Sequence, residues 1–131
     1  MELHIKIIGF LFIVLAFVHL IFPKKFNWKK ELSTLSLINK EIMIIHTFFI
    51  AVTVFLMGVL CLSSSDELTH TAFGKNISFG LGVFWALRLY IQFFGYSAEL
   101  WKGKTFETSV HILFTFIWAY VSVIFLINYL N

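Results

Sequence analysis

Five polar side chains that could do chemistry stand inside long apolar stretches of this sequence: His19, His46, Arg88, Gln92 and His111. Glu107 lies one helical turn before the last of them. In hydrocarbon each such group is costly, so each needs a partner or a task. Imidazole is the common protein ligand for Fe, Zn and Cu, and a planar guanidinium matches a carboxylate. The residue types therefore point first to a cofactor site. His46 and His111 suit the two axial positions of a haem b. Arg88 would then pair with a propionate, the abundant Phe and Trp would line the ring, and Gln92 would complete the cofactor-binding set. A bare transition metal ion (Fe, Zn or Cu) would instead take His19, His46 and His111, with Glu107 or Glu41 as ligand or support. A three-histidine zinc site with an open position implies hydrolysis of a lipid-like substrate.

Two other function classes use the same residues. Chains of His, Glu and Arg inside a membrane can relay protons or ions, which makes a small transporter or channel the second reading. Such a path must continue across the bilayer, yet the other half of these stretches is Phe, Leu, Ile and Val, relieved only by Thr53, Ser78 and Ser122. The third reading is a structural or assembly subunit, with Arg88 paired to Glu99 or Glu107 and Gln92 bridging helices.

The elements that position these groups follow from composition. The chain has 131 residues, of which 60% are hydrophobic, 19% aromatic and 13% charged, and its mean hydropathy is +0.90. A water-soluble domain of this length cannot hide so much apolar surface. One cysteine excludes a disulfide scaffold, and this hydropathy excludes disorder. Apolar runs at Ile7–Phe22, Ile42–Leu62, Ile77–Tyr96 and Val110–Leu130 are each close to the ~20 residues that cross a ~30 Å hydrocarbon layer. Backbone groups in lipid must be satisfied internally, and the short alternating segments of a barrel are absent. The expected fold is an all-α, four-transmembrane-helix bundle forming one domain, 1–131. Its helices run over about 5–22, 40–62, 76–97 and 107–130, the first ended by Pro23 and retained as a span, not cleaved as a signal peptide.

The lysines predict how the bundle is threaded. Lys24, Lys25, Lys29, Lys30, Lys40, Lys102 and Lys104 fall on one side, and Lys6 and Lys75 on the other. Positive-inside bias puts the first set in the cytoplasm and both termini on the extracytoplasmic side. The net charge of +3 is then a topology signal, and nucleic acid is excluded as a partner. At 1.5 Å per residue, the five polar groups fall in a slab roughly 10 Å thick in the cytoplasmic half. Helical spacing sets Trp85, Arg88, Gln92 and Glu99 on one stripe, Glu107, His111, Thr115, Trp118 and Ser122 on a second, and Asn39, His46 and Thr53 on a third. If these stripes face inward, the histidines converge with Arg88 and Gln92.

The connections carry less information. Phe26 and Trp28 alternate with lysines in the first loop, as in a segment lying among lipid headgroups. Ser63–Glu67 reads as a polar turn that caps a following helix, and the Asn76-Ile77-Ser78 sequon abuts a span and is discounted. Cys61 stands alone and reads as a packing residue, and Gly80 and Gly82 permit close helix approach. No phosphate loop, nucleophile elbow, Cys-x-x-Cys pair or His-Glu-x-x-His motif occurs. The expected setting is a multi-pass membrane protein of bacterial inner-membrane character. Its expected partners are the lipid bilayer, a membrane redox partner or lipid-like substrate, and a further copy of the chain.

Overall fold

The computed structural model describes residues 1–131, and every regular element in it is helical. In chain order these are α1 (Glu2–Lys25), α2 (Trp28–Glu31), α3 (Leu37–Ser63), α4 (Ser65–His70), α5 (Ala72–Phe94), a 3-10 turn (Ala98–Leu100) and α6 (Thr105–Leu130). Helices α1, α3, α5 and α6 are each long and apolar enough to cross a membrane. Their outward faces carry exposed Phe10, Phe17, Phe49, Leu87, Phe93 and Phe116.

The ends differ from the sequence expectation for local reasons. α1 does not stop at Pro23; the proline sits in its last turn. There its missing N–H deprives only the His19 carbonyl of a helical donor, and Lys24 and Lys25 complement the helix dipole. Asn27, at φ 53°, then turns the chain. α3 begins early because Ser36 caps it, its hydroxyl accepting from the Asn39 N–H at 3.4 Å. α5 likewise starts at Ala72, because the Thr71 hydroxyl accepts from the Gly74 N–H at 2.9 Å. The turn after α3 is itself helical, as α4.

The chain forms two compact units, one of Ile5–Ser65, the other of Met1–His4 with Asp66–Asn131. In the first, α1 and α3 cross with their backbones in contact. A methyl group on Gly58 would lie 2.8 Å from the Gly9 carbonyl oxygen, and one on Gly9 would lie 3.0 Å from that of Gly58. Ile8, Phe12, Val54 and Cys61 are buried beside this crossing, as small-residue approaches between apolar helices allow. Further along, Ala16, Phe17, Leu20, Phe48, Ala51, Val52 and Phe55 line a groove without a polar atom. Gly58→Ala should lower stability by about 1–3 kcal/mol, the usual cost of overpacking. Unfolding of the detergent-solubilised protein measures this, and an unchanged midpoint would contradict the backbone contact.

In the second unit α5 and α6 form an antiparallel hairpin. Phe79 meets Tyr129 at 4.8 Å between ring centroids, Gly82 admits Leu126, and Trp85 stacks on Trp118 at 5.0 Å with an interplanar angle of 15°. α4 is tied to this hairpin by Asn128, which is 1% exposed. Its amide donates to the Leu68 carbonyl at 2.8 Å and to the Ser78 hydroxyl at 2.7 Å. Asn128 joins Ser78 among the buried polar groups of this unit and ties three helices, α4, α5 and α6. Asn128→Ala strands two buried acceptors and should cost about 1–3 kcal/mol. A chemical-denaturation midpoint equal to wild type would remove Asn128 from that role.

Candidate functional site

The hairpin's loop end collects most of its polar side chains. Arg88 lies six residues before the end of α5 and His111 six residues after the start of α6, so both sit about 9 Å inside their helices. Gln92, one turn beyond Arg88 and buried, bridges them. Its Oε1 accepts from Arg88 Nη1 at 3.3 Å, while its Nε2 donates to His111 Nδ1 at 3.1 Å and to the His111 carbonyl at 3.2 Å. Arg88 Nη2 reaches the Tyr96 hydroxyl at 3.4 Å. The guanidinium carbon stands 5.4 Å from the centroid of the Tyr96 ring and 5.1 Å from that of Trp118, within cation–π range.

The loop covers the imidazole. Ser97 caps the 3-10 turn, and Trp101, just past it, stacks on His111 at 4.5 Å with 15° between the planes. Trp101 is held by Thr108, whose hydroxyl donates to the Trp101 carbonyl at 2.5 Å. Along α6 exposure falls from Glu107 through His111 and Thr115 to buried Trp118 and Ser122. That expected stripe does turn inward as it leaves the loop. On α5, Trp85 and Gln92 are buried and Arg88 is half-buried, whereas Glu99 is exposed in the loop.

Two features give this site unspent binding capacity. Arg88 has no carboxylate within 4 Å, and the two contacts it makes leave most of its five N–H donors free. The expected ion pairs with Glu99 or Glu107 are not formed. Beneath it, the indole N–H of Trp118 is buried and without an acceptor, at a cost of about 1–3 kcal/mol.

The same hydrogen bonds bear on the metal and haem expectations. The Gln92 amide is oriented by Arg88 on one side and the His111 carbonyl on the other. Its NH₂ therefore faces His111 Nδ1, which must accept, and the ring proton belongs on Nε2. As packed, His111 offers a donor, not a lone pair, so an iron or zinc ligand there would forfeit the Gln92 contact. Glu107 is exposed and makes no hydrogen bond to His111.

His19 and His46 belong to the other unit. His19 Nδ1 donates to the Leu15 carbonyl at 2.9 Å, which leaves its Nε2 lone pair free, and its ring lies 4.9 Å from that of Phe22. His46 is exposed, as are Asn39 and Thr53 on the same stripe. This stripe, expected to face inward, does not.

Sequence reasoning missed two groupings. Trp101 was not singled out, although Trp101 and Thr108 bracket the loop beside His111. Glu2, Asp66 and His70 also approach, with one ligand atom of each within 4.8 Å of the others. Glu2 and Asp66 are too far apart in sequence for spacing to relate them. His70 Nδ1 is bonded to Asp66 Oδ1 at 2.8 Å.

Compared with protein-family models, with curated proteins and with solved structures, the chain matches none.

Proposed function

We propose that this chain is a multi-pass membrane protein whose α5–α6 hairpin binds the anionic headgroup, phosphate or carboxylate, of a membrane amphiphile. The four apolar spans and the exposed phenylalanines support insertion. The lysine distribution supports a cytoplasmic placement of the α5–α6 loop, with both termini outside. A bacterial inner membrane is the setting this reading assumes.

One observation carries the ligand assignment: a guanidinium without a carboxylate stands over the ring of Trp118, whose buried indole N–H has no acceptor. An oxyanion seated there would accept from both, adding charge-assisted hydrogen bonds and satisfying Trp118. Gln92 and Tyr96 hold the guanidinium in place, and the apolar outer face of the hairpin suits an acyl chain. His111, with its proton on Nε2, can supply a further donor.

Tryptophan fluorescence tests this in a neutral detergent. Titration with short-chain phosphatidic acid should give a saturable change at one amphiphile per chain, absent with phosphatidylcholine and lost in Trp118→Phe. An equal response to both lipids would remove the anion from the account.

A further inference from the structure

Among the four long helices, α3 is the least buried, and the face it leaves open is not plain lipid-facing filler. Asn39, His46 and Thr53 recur every seven residues, and Ile42, Phe49 and Leu56 follow each of them by three. All six are exposed. Polar residues at one seam position and large apolar residues at the next form the pattern of a coiled-coil contact, in which the polar positions fix register. Thr53 already donates to the Phe49 carbonyl at 2.8 Å. His46, about 13 Å inside its helix at 1.5 Å per residue, makes no hydrogen bond within the chain and has none to gain from lipid tails.

We propose that this face pairs with the same face of a second copy of the chain, α3 against α3, parallel and with His46 opposite His46. The proposal rests on the membrane reading above but not on the Arg88 ligand. Insertion gives every copy the same orientation, so a two-fold axis along the membrane normal sets each α3 residue against its own equivalent at its own depth. Only a second copy is guaranteed to place a polar group at each of these three levels. A neutral imidazole has one donor and one acceptor on different nitrogens, so two facing His46 rings share one N–H···N hydrogen bond. Facing Asn39 amides, each with an NH₂ donor and a carbonyl acceptor, pair reciprocally, whereas the Thr53 hydroxyl stays satisfied by its own helix. The left-handed crossing that a seven-residue repeat imposes keeps the seam together along the helix.

Single cysteines in a Cys61→Ala background test the geometry in native membranes. After alkaline extraction shows the chain in the membrane fraction, oxidation should cross-link His46→Cys, Phe49→Cys and Thr53→Cys. It should leave Ile44→Cys and Phe48→Cys, which are exposed on the opposite side of the helix, monomeric. Uniform cross-linking, or none, in membrane-extracted protein overturns the dimer and leaves the membrane reading intact. A chain released by alkaline extraction overturns both. Because a cysteine variant can misfold, energy transfer between labelled wild-type chains in vesicles is the second measurement. His46→Ala should raise the dissociation constant roughly tenfold, the loss of about one interhelical polar contact. Equal association by both chains also overturns the proposal.

Discussion

Arg88→Gln should abolish selective binding of anionic amphiphiles while leaving the hairpin folded. Glutamine keeps a polar side chain on α5 but removes the charge and the planar fork. A hydrogen bond to a charged group is worth about 1.5–3 kcal/mol, which corresponds to a loss of roughly tenfold to hundredfold in affinity. Stability without ligand should hold or rise, because Arg88 has no carboxylate partner and an uncompensated charge among apolar helices is costly. This sign separates binding from scaffolding. If Arg88 serves to glue α5 to α6, its removal lowers the unfolding midpoint and affects anionic and neutral lipids alike. Arg88→Lys should fall between, since an ammonium keeps the charge but cannot bridge Gln92 and Tyr96 in one plane.

Gly74→Ala should be the most damaging single methyl group in the chain. Gly74 lies in the first turn of α5, directly against α4. A β-carbon there would collide with the Glu67 carbonyl oxygen and fall 2.6 Å from Leu68 Cα, all backbone with no flexible side chain to move aside. The Glu67 carbonyl is also committed, accepting from the Thr71 N–H at 3.1 Å and the Thr71 hydroxyl at 2.7 Å. Moving it disturbs the Thr71 cap of α5 and draws Leu68 away from Asn128. The expected cost is about 3 kcal/mol or more, at the upper end of overpacking effects. Gly80→Ala is the matched control. Gly80 is exposed in mid-helix with nothing within 4 Å of the added carbon, and alanine there should stabilise by about 0.5–1 kcal/mol. Denaturant midpoints of the two variants should move in opposite directions; a tolerated Gly74→Ala would show that α4 does not rest on α5.

The four helices long and apolar enough to cross a membrane were legible in the sequence as apolar runs, and their ends shifted only where a cap or a permissive last turn intervened, as at Thr71, Ser36 and Pro23. The α5–α6 stripes could be read because Arg88, Gln92 and His111 obey helical spacing on two adjoining helices. The facing of the α3 stripe could not. Periodicity puts Asn39, His46 and Thr53 on one side of a helix without saying whether that side meets its own chain. Nor does spacing reveal a tautomer: the proton on His111 Nε2 follows from how Gln92 is held between Arg88 and the His111 carbonyl. Asn128 escaped notice because one asparagine near a helix end resembles an ordinary terminus until the Leu68 carbonyl and the Ser78 hydroxyl are seen beside it.

Native mass spectrometry of the wild-type chain, released from membranes in mild detergent and paired with its absorption spectrum and metal content, tests the central claim most directly. The account predicts one anionic amphiphile retained per chain, its loss from Arg88→Gln, and neither a Soret band nor stoichiometric Fe, Zn or Cu. A bare chain, retention of neutral and anionic lipids alike, or a bound haem or metal ion would contradict it.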